Sequence, residues 1–172
     1  MEYILTVSGS EQEHEVLQRL LKKIKLSGSH QAGTGLEARR MLNETTFQLV
    51  IVNTPLPDEQ GEAVARLAFA NGAQVILLVK NEQIDAVWEK ICSTGVHLIS
   101  KPLKRAVFFQ TVQCILLQQK QSQQLQAEKE RLRRQIQDAN LLNRAKLLLI
   151  QVLKLSEPQA HHYIEKQAMD LR

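Results

Sequence analysis

Through the first hundred residues, short continuous apolar runs alternate with segments whose apolar positions recur every three or four residues. The runs Tyr3–Val7, Phe47–Val52 and Gln74–Val79 have strand length, and His30–Gly33 and His97–Ile99 are shorter strand candidates. Between them the stretches 11–25, 36–42, 62–71 and 83–94 carry the helical period, as in Val16, Leu17, Leu20, Leu21 and Ile24. Strands apolar on both faces and separated by helices predict a parallel sheet covered on both sides. In such sheets ligands and chemistry gather beyond the carboxyl ends of the strands.

The pattern changes after Pro102. Residues 104–153 contain no Gly or Pro, and the period predicts one long helix. Ala106, Val107, Phe108, Val112, Ile115 and Leu116 form its apolar start, suited to packing on the sheet. The stretch that follows, 118–140, is too polar for a monomer's core. A heptad places Phe108, Ile115, Ser122, Lys129, Ile136 and Asn143 at a, and Thr111, Gln118, Leu125, Leu132 and Ala139 at d. Leu125, Leu132, Ile136 and Ala139 make a seam that predicts a parallel homodimeric coiled coil. A long solvated helix, or one folded back on its own domain, stays open as the alternative.

Residues 141–172 predict the end of that helix, a turn, and a second amphipathic helix. Ser156 is an N-cap, Gln159 its capping-box partner, and Pro158 is tolerated in a first turn. Ala160, Tyr163, Ile164, Gln167, Ala168 and Leu171 trace the second stripe. Two such short helices need a cover for their apolar faces. The expected division is therefore residues 1–117, 118–140 and 141–172. The fold class is α/β, a flavodoxin-like doubly wound sheet of five parallel strands, followed by a long helix and a short all-α module.

Composition narrows the function. Of the 172 residues, 44% are hydrophobic and 23% charged, as in a globular protein. There is no run of about 18 apolar residues and no export signal, so a cytoplasmic protein without a membrane partner is expected. Cys92 and Cys114, both on expected helices, predict free thiols. Charge is uneven: 10 Lys/Arg face 12 Asp/Glu through Pro102, and 12 face 6 after it. The positive excess suits a polyanion partner or a solvated helix surface. No Ser/His/Asp, Cys/His or paired-carboxylate arrangement recommends an enzyme. The adjacent His161 and His162 point different ways on a helix, so neither a metal nor a cofactor is expected.

The segment NTPLPDEQG after the third strand and SKP after the fifth resemble the receiver domain of two-component response regulators, a CheY-like fold. Leu56, Pro57, Gly61, Lys101 and Pro102 match. Where receivers carry the phosphate-accepting aspartate, this chain has Asn53. Ser8-Gly9 stands for the acidic pair, Val79 for the hydroxyl after the fourth strand, and Leu98 for the usual aromatic of the fifth. An amide is no phosphate acceptor, and neutral oxygens make a poor Mg²⁺ cage. The resemblance therefore implies a pseudo-receiver, with Lys101 pairing with Asn53 or a loop carbonyl. Asp58 is expected to be an exposed loop acid; a substitute phosphoacceptor is the other reading.

The C-terminal stretch is similar to the ANTAR module of transcription antitermination regulators. Arg144-Ala145-Lys146, Leu148-Leu149, Leu155-Ser156-Glu157, Ala160, Tyr163, Ile164 and Gln167-Ala168-Met169 carry the match. Two positions where that family has glycine are Leu147 and, in the inter-helix turn, Lys154, and a family Met is Ile150. A third helix would follow Arg172, so the sequence is expected to be truncated there. The resemblance implies a dimer that binds paired hairpins of leader RNA and favours an antiterminator. Arg144, Lys146, Lys154 and Lys166 would contact phosphates. A regulatory protein on the receiver surface would then supply the input. A coiled-coil interaction scaffold without RNA binding is the alternative.

Overall fold

The computed structural model describes residues 3–24 and 29–170. The predicted helical positions Lys25 and Leu171 lie outside them. The chain divides into two compact units, Met1–Leu116 and Leu117–Arg172.

In the first unit five strands alternate with helices. The strands are β1 (Ile4–Ser8), β2 (Ser29–Ala32), β3 (Leu49–Asn53), β4 (Gln74–Lys80) and β5 (His97–Lys101). The helices are α1 (Glu11–Lys23), α2 (Gly35–Glu44), α3 (Glu62–Ala70), α4 (Ile84–Ile91) and the start of α5 (Arg105–Leu153). All pairings are parallel, in the order β2-β1-β3-β4-β5. The order reverses at β1, which puts the carboxyl ends of β1 and β3 at a topological switch point. Helix α4 is shorter than the periodicity predicts: a 3₁₀ turn, Asn81–Gln83, precedes it and Cys92 caps its end. Both cysteines are free and exposed.

Strand alternation divides the core in two. Leu5, Val7, Val50, Val52, Val75, Leu77 and Val79 pack with Ala38, Leu42, Val64, Ala65, Ala68 and Ile91 of α2, α3 and α4. Ile4, Ile51, Ile76, Leu78 and Ile99 pack with Leu17, Leu20 and Leu21 of α1 and Phe108, Val112 and Ile115 of α5. Burying a side chain of this size is worth about 1.5–3 kcal/mol, which is why runs apolar on both faces settle as central strands. Phe108 and Ile115 are taken up by the sheet, so the heptad seam has only its later positions free.

In the second unit α5 continues to Leu153 and α6 spans Glu157–Asp170. Helix α5 passes residue 140 unbroken. The turn between them holds Lys154 in the left-handed region at φ 51°. The Ser156 N–H donates to Gln159 Oε1 at 2.9 Å, the reciprocal half of a capping box. Ala160 is fully buried. Among the described residues no helix is long and apolar enough to cross a membrane.

Candidate functional site

The carboxyl ends of β3, β4 and β5 meet α1 at a cavity of about 350 Å³ lined by Glu13, Leu17, Asn53, Leu78, Lys101 and Leu103, among others. Asn53 and Ser8 are Cα partners in the β1–β3 register. Asn53 Nδ2 donates to Ser8 Oγ at 3.1 Å, and Ser8 donates onward to Glu13 Oε2 at 2.8 Å. Because the single hydroxyl proton of Ser8 goes to Glu13, the hydroxyl accepts from Asn53, which sets the amide with its nitrogen toward Ser8. Asn53 Oδ1 is then left buried with no hydrogen-bond partner among the described residues.

Lys101 Nζ donates to the Thr54 carbonyl, a loop acceptor next to the phosphoacceptor position. It also stands 3.9 Å from Glu13 Oε1. Desolvation pushes the lysine pKa down; Glu13 opposes that shift and Lys80 adds to it. The site thus joins β1, α1, β3 and β5 through one donor chain and one ion pair.

Two expected positions behave differently from their placement by motif. Val79 does not face the cavity. It points into the core on the other side of the sheet, where Val52 and Leu77 also lie, because alternation puts it opposite to Leu78. Leu78, the register partner of Asn53, lines the cavity instead, and Lys80 ends β4 opposite Lys101. Gly9 offers no side-chain space: a Cβ there would lie 2.7 Å from Pro57 Cγ. An acidic residue at position 9 would need the rigid proline ring to move. Glu13 was invisible to motif reasoning because it reaches the site from α1. Its only sequence signal is its place in the first turn after Ser8.

Asp58 has a structural job. Its Oδ1 accepts from the Gly35 N–H at 2.8 Å and its Oδ2 from the Leu36 N–H at 3.0 Å, capping α2 from a distant loop. Those two hydrogen bonds hold its pKa below the ordinary carboxylate value. Thr34 Oγ1 accepts from the Glu37 N–H at the same terminus. Arg39 and Glu59 pair beside it, and the missing Cβ of Gly35 leaves the space that the Glu59 carboxylate fills. With both oxygens of Asp58 engaged, the loop acid is a cap.

In the second unit Arg144, Lys154 and Lys166 are exposed and Lys146 is half-buried. Leu125, Leu132, Ile136 and Ala139 are exposed along α5. Ala145, Leu148, Leu149, Tyr163, Ile164, Gln167 and Ala168 line an apolar groove between the end of α5 and α6.

Residues 130–172 match the ANTAR domain model. The match begins inside the segment expected to be coiled coil. The sheet and its helices superpose on a response regulator receiver domain protein from Clostridium thermocellum with a TM-score of 0.61, at 17% identity over 70% of this chain and 98% of that one. They also superpose on the signal receiver domain of a histidine kinase from Syntrophus aciditrophicus, with a TM-score of 0.58, at 27% identity over 67% of this chain and 90% of that one. The chain is a receiver fold followed by an ANTAR domain. The transcriptional regulatory protein PdtaR of Mycobacterium tuberculosis is 25% identical over 143 residues, which are 83% of this chain and 70% of that protein. That alignment is too long to fall within either unit alone.

Proposed function

We propose that this protein is a response-regulator-like transcription antiterminator that binds leader-RNA hairpins through its ANTAR domain. The observation that carries the reading is the ANTAR match over 130–172 behind a receiver fold. The similarity to PdtaR, a transcriptional regulatory protein, supports it. Arg144, Lys146, Lys154 and Lys166 are the residues assigned to phosphate contacts, where each neutralised phosphate adds affinity that falls with salt. The receiver is read as incapable of phosphorylation. Asn53 replaces the nucleophile, Ser8 and a sterically closed Gly9 replace the acidic pair, and Lys101 is engaged by Thr54 and Glu13. Dimerisation through Leu125, Leu132, Ile136 and Ala139 would bring two ANTAR domains to paired hairpins. Input to the receiver then arrives by non-covalent contact, from a regulatory protein or through a change of oligomeric state.

The test is an electrophoretic mobility shift with a two-hairpin leader RNA and the full chain, repeated with Arg144→Ala and Lys146→Ala combined. Binding weakened by the double substitution, with a shallower salt dependence, is expected. Absence of binding by the unsubstituted chain overturns the reading and leaves the exposed seam of α5 as a protein-interaction scaffold.

A further inference from the structure

The receiver cavity keeps binding capacity that its internal network does not use. Asn53, only 4% exposed, lines it and has an unpaired acceptor in Oδ1. Oδ1 itself is enclosed, so what the cavity offers a ligand is its two charged groups. Lys101 Nζ has three protons and gives one to the Thr54 carbonyl. Glu13 Oε2 accepts from Ser8, whereas Oε1 lies 3.9 Å from Lys101, too far for a hydrogen bond. Each charge therefore has a free side. The remaining lining is mainly apolar: Val16, Leu17, Leu78, Pro102 and Leu103. At about 350 Å³ the cavity falls in the range of small-molecule sites.

We propose that this cavity binds a small apolar α-amino acid as its zwitterion. The ligand's ammonium donates to Glu13 Oε1, its carboxylate accepts from Lys101, and its side chain lies on Leu17, Leu78 and Leu103. The adjacent opposite charges select a net-neutral, dipolar ligand: a lone anion leaves Glu13 unmatched, and a lone cation faces Lys101. A bare divalent cation is disfavoured because the ammonium of Lys101 stands beside the one carboxylate. The proposal deepens the reading of a receiver that works without phosphate, and rests on it, because an aspartyl phosphate at position 53 would occupy the same space.

The experiment follows backbone amide NMR shifts in the full chain during titration with L-phenylalanine and L-leucine. Phenethylamine and hydrocinnamate serve as analogues lacking one charge each. Expected are saturable shifts at Glu13, Asn53 and Lys101 with a Kd of about 1 mM or tighter, and binding about tenfold weaker for either analogue. Glu13→Gln, which keeps the acceptor for Ser8, should weaken L-phenylalanine and strengthen hydrocinnamate, whose carboxylate no longer meets an unmatched Glu13. No saturable shift at these residues, or equal affinity for all three phenyl compounds, overturns the proposal. A mass increase after acetyl phosphate and Mg²⁺ would instead overturn the unphosphorylated receiver, so the two failures are distinct.

Discussion

Asn53 Nδ2 donates to Ser8 Oγ at 3.1 Å, across two strands that hold the residues in direct register. In a receiver the corresponding contact region gathers carboxylates around a cation. Here a neutral amide donates to a hydroxyl, and Glu13 completes the chain from α1. The site is held by these hydrogen bonds and by the Lys101–Glu13 ion pair.

The first prediction concerns nucleophile restoration. Asn53→Asp treated with acetyl phosphate and Mg²⁺ should show no phosphate adduct by intact mass. With aspartate at 53 the site's other carboxylate, Glu13, stays engaged by Ser8 and beside Lys101, and Pro57 blocks an acid at position 9. An adduct of phosphate mass in this variant would mean that Ser8 and Glu13 suffice as a cage.

Removing the hinge of the network should be costly. Ser8→Ala leaves the Asn53 amide without its acceptor inside the core and frees Glu13. The expected loss is about 1–3 kcal/mol, the penalty for an orphaned buried polar group, read from urea unfolding. An unchanged midpoint would show that the amide re-pairs locally.

Asp58 gives a pH dependence with a definite sign. Its folded pKa lies below the ordinary value of 3.8 because the Gly35 and Leu36 amides favour the carboxylate. The stability it contributes is therefore complete above pH 3.8 and is lost as pH falls through the depressed folded pKa. Asp58→Ala should lower the urea midpoint at neutral pH, and the gap to the native chain should narrow in acid. A gap that is constant with pH would remove the charged cap from the account.

Lys154 sits at φ 51° in the turn before α6. A non-glycine residue there costs roughly 1–2 kcal/mol. Glycine relieves that strain and loses about 0.4–1 kcal/mol through the unfolded chain. Lys154→Gly should thus stabilise the second unit modestly by thermal unfolding while weakening RNA binding through the lost charge. Destabilisation would show that the lysine side chain supports the turn.

Leu125→Glu combined with Leu132→Glu should yield a monomer in sedimentation, because glutamates at two d positions face each other across a parallel seam. A persisting dimer would place the interface elsewhere.

The sequence by itself determined the elements and their order. Continuous apolar runs, helical periods, the absence of Gly and Pro from α5, and the Ser156–Gln159 cap are local or periodic signals, and each appears where local physics puts it. It also showed that position 53 has no nucleophile. The tertiary structure decided which side chains meet. Asp58 reaches the start of α2, more than twenty residues earlier in the chain, and Glu13 enters the site from a helix. Val79 turns to the opposite core because a one-residue step along a strand reverses the face. Motif position records distance along the chain, whereas register and packing set distance in space, and only the latter chooses partners for a carboxylate or an amide.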